Sequence, residues 1–275
     1  MPDRGKTGGE PHPRRTERSS RAVARRLTSA VLALFLTAAV AVGVTVLLVR
    51  SADSPTAAKT AAIVDQLSLS QPNPDFIAAA RTLLTQASYL VDYFPGEQVT
   101  VEFYRTLPTR GYDLILLRVH AGITTGVEAS TGDRTETEYM SLFTGEPYAP
   151  GKYAEELNRL GRAVYYEGAD PLFGIGPRFI EESMEGRFDG TLIIMMGCDG
   201  LRSRRTAEAF LNRGAEAFVS WSRPVTAAHT DAATERLLDR LLQVNVSTAE
   251  AVRQTAEEVG PDPIYGGELR VLAAE

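Results

Sequence analysis

The chain predicts an α/β fold: three layers, α-β-α, around a mainly parallel central sheet, preceded by one transmembrane helix. Three observations predict it. Short apolar runs without polar alternation, such as Leu192–Met196, read as strands buried on both faces, as in parallel sheets. These runs alternate with helically spaced stretches through short connections, the pattern of a sheet wound by helices. Ahead of them, Leu27–Val49 runs for 23 residues without a charge. A helix of that length reaches roughly 34 Å, enough for a hydrocarbon core of ~30 Å.

In chain order, residues 1–26 are rich in Arg, Pro, Gly and Ser and lack aromatic residues, so they predict a disordered basic tail. The arginines before the apolar run place that tail on the cytoplasmic side and the following domain outside, giving a single-pass protein of the cell membrane. A cleaved signal peptide is the competing reading, with a shorter apolar region of ~7–15 residues and a small-x-small site. Residues 50–60 read as a linker and 61–275 as one domain.

Within the domain, Ala61–Leu67 predicts a first strand. A helix comes next over Asp75–Gln86, with Asn73 as cap and Pro74 at its first position. Tyr89–Tyr93 is a second strand, Val99–Leu107 a short helix, and Tyr112–His120 a third strand ending in histidine. Glu136–Phe143 reads as one arm of a hairpin, Tyr153–Leu160 as helical, Ala163–Tyr166 as extended, and Phe179–Phe188 as a helix leading into the strand before Cys198. Thr206–Asn212 is helical and stopped by Gly214, and Ala217–Trp221 is the next strand. Helices over Asp231–Gln243 and Ser247–Val259 come last, capped by Thr230 or Asp231 and by Ser247 with Glu250. Residues from 261 form a tail containing a turn at Ile264–Gly267.

Charge and cysteine content exclude several functions. The chain carries −6 overall, and the first 26 residues hold eight Lys/Arg against three acids, so the remainder carries about −11. That balance argues against a nucleic-acid partner. A single cysteine, Cys198, excludes an internal disulfide, and with three histidines in the chain it makes a closed zinc site improbable. No metal and no cofactor is expected.

The candidate chemistry lies at two strand ends. Cys198 and His120 each come at the end of an apolar run, each with a glycine nearby, and open α/β sheets place reacting groups at the carboxyl ends of their strands. A thiol, an imidazole base and backbone amides from the turns at Ala121, Gly122, Gly197 and Asp199 are the parts of a cysteine nucleophile with its oxyanion site. Taken singly, Cys198 is more commonly a buried core residue and His120 a turn histidine; their shared placement favours a site. His229, just before a helix, is a rival base. Asp170, Asp199 and Asp231 are candidate acids for a basic substrate residue.

The order apolar run, His120, later apolar run, Cys198 resembles the caspase-like superfamily of cysteine peptidases, which includes caspases, legumain, clostripain, gingipains, separase and CHAT domains. There the histidine comes after the third strand and the cysteine after the fourth. Residues 206–215 are similar to the segment after the cysteine in gingipain and CHAT sequences, and Ser220, Trp221 and Ser222 resemble the loop lining the first specificity pocket of caspases. The superfamily usually has Gly directly after the His, where this chain has Ala121. The resemblance implies a caspase-hemoglobinase-like fold and an endopeptidase acting on peptide or protein substrates through a thioester acyl-enzyme, which the apolar run 27–49 would anchor to the membrane. It makes His120 the base, Cys198 the nucleophile, the amides of Cys198 and of Gly122 or Ala121 the oxyanion donors, and Trp221 and Ser222 substrate-pocket candidates, to which the residue pattern adds His229 and Asp231. A catalytically silent caspase-like module and a flavodoxin-like ligand-binding domain are the alternatives.

Overall fold

The computed structural model describes residues 58–127 and 134–274. The tail, the apolar run 27–49 and most of the linker lie outside the described residues. Among the described residues no helix is long and apolar enough to cross a membrane.

The domain is α/β with a mostly parallel central sheet. Strands β1 (Thr60–Asp65), β2 (Leu90–Pro95), β3 (Leu114–Arg118), β8 (Thr191–Met195) and β9 (Ala215–Trp221) run parallel in the order β2-β1-β3-β8-β9, and β10 (Leu269–Ala273) closes the β9 edge antiparallel. Successive strand residues point to opposite faces. Ala62, Val64, Ile115, Leu117, Ile193, Met195 and Phe218 therefore meet helices α2 (Val101–Thr106), α3 (Pro177–Glu182) and α4 (Arg205–Asn212). Ala61, Ile63, Leu114, Leu116, Ile194, Met196, Val219 and Trp221 meet α1 (Pro74–Gln86), α5 (Ala227–Leu241) and α6 (Thr248–Val259) on the other side. Both strand faces are apolar because helices cover both.

Between β3 and β8 the chain leaves this sheet to build a second, antiparallel one. It comprises β4 (Ala121–Val127), β5 (Arg134–Pro147), β6 (Leu160–Ala163) and β7 (Leu172–Ile175), in the order β4-β5-β7-β6. One face of it, Met140, Leu142, Phe173 and Ile175, completes the core on the α2–α4 side.

Local chemistry explains the helix ends. Asn73 caps α1 by accepting from the Phe76 amide at 3.1 Å, with Pro74 at the first position. Ser247 caps α6. Helix α5 begins four residues before the expected Asp231, because Thr226 and not Thr230 or Asp231 is its cap.

Three further expectations are corrected. Tyr153–Leu160 is not a helix: Tyr153 takes a left-handed φ of 59°, only one 3-10 turn forms at Ala154–Glu156, and Leu160 already begins β6. Strand β7, of four residues, and strand β10, in what reads as a tail, add to the expected set.

Candidate functional site

Register brings the two strand ends together. Leu117 pairs with Met195 as the last partners of the parallel β3–β8 ladder. His120 and Cys198 both lie three residues beyond that pair, on strands about 4.8 Å apart. They also share a face, since each continues the alternation of residues that look toward α1, α5 and α6 (Leu116 and Arg118 before His120; Ile194 and Met196 before Cys198). Gly197 lets the ends close up: a Cβ there would run into the carbonyl of Val119. Gly200 plays the same part against Ser220 on β9. These glycines are needed for close approach, rather than for the sharp turn that their positions suggest.

Both residues line one cavity of about 400 Å³, together with Leu67, Met196, Pro224, Val225, Thr226, Ala227, Thr230 and Tyr265. Among the described residues its wall carries no charged side chain. The loop holding Tyr265 is fixed by Asp262, whose carboxylate accepts from the amides of Thr226, Ile264 and Tyr265 and from the Thr226 hydroxyl at 2.8–2.9 Å. Burial opposes the charge of Asp262, but these donors outweigh it and bring its pKa down to about 2.

His120 is held from several sides. Its backbone amide donates to Gln66 Oε1 at 2.9 Å, and the buried Gln66 amide nitrogen donates to Thr144 O and to the Tyr165 hydroxyl. The Tyr165 ring meets the imidazole edge-on at 4.7 Å between centroids, and Phe143 lies at 5.9 Å. Burial, reinforced by the nearby charge of Arg118, lowers the His120 pKa to about 4, so at neutral pH the imidazole is uncharged. Its Nε2 lies 2.8 Å from Ser70 Oγ. Cys198 is partly buried, and its Sγ donates to Val225 O at 3.6 Å. Burial raises its pKa, and the carboxylates of Asp199 and Asp262 add to that, partly offset by the Val225 contact. The pair therefore rests as thiol and neutral imidazole, each hydrogen-bonded to another group.

The depressed imidazole pKa has a thermodynamic consequence. Unfolded His120 titrates near 6.5 and folded His120 near 4. The unfolded chain thus binds more protons between those values, and the contribution is complete above about pH 6.5 and lost as pH falls toward 4. With partial solvent contact it amounts to roughly 1–3 kcal/mol. Urea unfolding at pH 7 and pH 4.5 is expected to show a smaller pH-dependent loss for His120→Gln than for the parent. Equal losses would contradict the burial account.

Arg118, two positions before His120, belongs to no motif, yet among the described residues its side chain is the largest charged one that is fully buried. It is 1% exposed and bridges Asp65 at 2.8 Å and Asp231 at 2.8 and 2.9 Å, and donates to Gln71 O. Asn73 adds a bond to Asp231 and Tyr93 one to Asp65.

This cluster redefines the pocket candidates. Asp231 is 4% exposed and neutralised by Arg118, and does not line the cavity as an acid for a basic substrate residue. Trp221 is 1% exposed, with its indole donating to Thr230 Oγ1 at 2.9 Å, so it is core. His229 packs on Trp221 and contacts Gly260 O, away from the cavity wall. Ser222 pairs with Glu268 on the β9–β10 side.

Of the oxyanion candidates, Gly122 belongs to the β4–β5 ladder opposite Ser141 and lines a different cavity. Ala121 begins that ladder opposite Leu142. Asp199, at a left-handed φ of 59°, has its amide bonded to Arg223 O at 3.2 Å. The Gly197 amide touches only the Met195 sulfur, a weak acceptor. Residues 66, 70 and 118 thus act at the site without a motif to mark them. The signal present in the sequence is the pair of opposite charges, Asp65 and Arg118, ending two neighbouring apolar strands in register. Compared with known proteins, the chain matches no family model and no curated sequence.

Proposed function

We propose that this domain is a cysteine endopeptidase of caspase-like type, held at the membrane by the apolar run 27–49. The observation that carries the reading is the placement of His120 and Cys198 at one level, on one face and in one cleft beyond the third and fourth strands of the parallel sheet. That order is also the one the caspase-like resemblance implies.

In the reaction, neutral His120 takes the proton of the Cys198 thiol as sulfur attacks the scissile carbonyl. The amides of Cys198 and Gly197 stabilise the oxyanion. His120 then protonates the leaving amine, and water, activated by the same imidazole, releases the acid from the thioester. Engagement requires His120 Nε2 to exchange its Ser70 contact for the thiol.

The uncharged wall of Leu67, Met196, Val225, Ala227 and Tyr265 selects an apolar substrate residue, unlike a pocket built for arginine or aspartate. Peptide-library cleavage by the full-length protein is expected to favour apolar over charged residues at the primary position by at least tenfold. Strict cleavage beside Asp, Arg or Lys would refute this pocket.

A silent binding module is the second reading, favoured by the Ser70 and Val225 contacts that occupy both reactive groups. It predicts no cleavage of any library member.

A further inference from the structure

The second sheet turns one face to the core and the other outward. Opposite Met140, Leu142, Phe173 and Ile175 in the alternation stand Ser141, Phe143 and Gly174, with Gly122 paired to Ser141 and Gly161 paired to Gly174. This outer face, with Gly176, floors a cavity of about 460 Å³.

At Gly122, Gly161 and Gly174 nothing internal to the fold requires glycine, whereas a Cβ at Gly176 would press on Ser141 Oγ at 3.3 Å. None of Gly122, Gly161, Gly174 and Gly176 has a left-handed φ. A Cβ at Gly122 would meet nothing within 4 Å, and at Gly161 and Gly174 its nearest neighbours would lie at 3.7 and 3.5 Å, ordinary contact distances. Gly197, Gly200 and Gly214 differ, since a Cβ there would collide with neighbouring atoms. Glycine inside a strand weakens it and marks places where another backbone comes close.

The rim supplies the charge. Arg159, Arg162 and Arg178 line the cavity, and no Asp or Glu among the described residues does, although the domain is acidic overall. Arg159 and Arg178 share Glu182 at 2.9 and 3.4 Å, leaving an excess of positive charge, while Arg162, paired with Phe173, comes to the rim from the core-side face of β6. The trough also leads to the cleft: Phe143 lines it and packs against His120.

We propose that this trough binds an acidic, extended segment of the polypeptide substrate, laid across the glycine floor, with its carboxylates on Arg159 and Arg178. As a statement about substrate it rests on the peptidase reading of the neighbouring cleft; as a binding site it is tested without it. Fluorescence anisotropy of the full-length protein with a labelled octapeptide alternating Glu and Val is expected to show at least tenfold tighter binding than with the Lys-Val counterpart. Arg178→Glu and Gly161→Val are each expected to weaken the Glu-Val peptide at least tenfold, with both proteins still folded by circular dichroism. Equal affinity for the two peptides, or a folded Gly161→Val protein that binds as the parent does, overturns the proposal. Binding with no cleavage of any peptide would overturn the peptidase reading alone; cleavage with no preference for acidic segments would overturn the trough alone.

Discussion

Replacing Arg118 with methionine is expected to destabilise the domain by about 3–5 kcal/mol, the usual cost of stripping the counter-charge from a buried pair. The side chains of Asp65 and Asp231 are 2% and 6% exposed, so neither carboxylate can recover its hydration once the guanidinium is gone. Tyr93 and Asn73 give each acid one remaining donor. Methionine fills much of the space over the Phe76 ring, where the guanidinium carbon now sits 5.7 Å from the centroid, so lost packing is the smaller part of the effect. A triple variant, Arg118→Met with Asp65→Asn and Asp231→Asn, removes the stranded charges and should regain most of the loss. Urea unfolding at pH 7 measures both. A single-variant cost below about 1 kcal/mol would contradict the account of this cluster. Activity should fall as well, because Arg118 also holds the Gln71 carbonyl and Gln71 lines the cleft.

The second large effect concerns the reaction itself. Cys198→Ala is expected to leave no measurable peptide hydrolysis, and His120→Ala to lower kcat/KM by about 10²–10⁴, the range a positioned general base supplies. Neither change should unfold the protein: the thiol makes one weak contact, and His120 is fixed mainly through its backbone amide on Gln66. Gln66→Ala separates positioning from chemistry. It leaves both reactive groups in place but frees the His120 backbone and the Tyr165 ring, and should depress kcat more than it raises KM. Full activity in Cys198→Ala would remove the mechanism outright.

The parallel sheet was legible because its strands carry apolar residues on both faces, and α1 because Asn73 and Pro74 mark its start. Strand β10 was not: Leu269–Ala273 contains Arg270, comes after a turn-rich segment, and sits at a sheet edge where only Leu269 is fully covered. The stretch from Glu155 carries two acids and then leucines three apart, at 157 and 160, but Tyr153 enters it in a left-handed conformation, and the pairing of Leu160–Ala163 with β7 prevails. Strand pairing between distant segments outweighs local propensity there.

At the site, the positions of His120 and Cys198 were readable from strand ends alone. The polar groups that support them were not readable in that role. Gln66, Ser70 and Asp231 come from a 3-10 turn, a loop and a helix, and long-range contacts of that kind have no spacing rule. Asp231 reads locally as a capping acid, whereas its partner is 113 positions away in the chain. Trp221 at a strand end is ambiguous by pattern, and its indole bond to Thr230 places it in the core.

If His120 and Cys198 act together on one substrate, removing the imidazole must change the reactivity of the thiol. The most direct measurement is the rate of iodoacetamide alkylation at Cys198 in the full-length protein, followed by intact mass, for the parent and for His120→Ala across pH 5–9. Alkylation is expected to run faster than a free cysteine of equally raised pKa would allow, and to slow at least tenfold in His120→Ala. A rate unchanged by removing the imidazole would contradict that joint action.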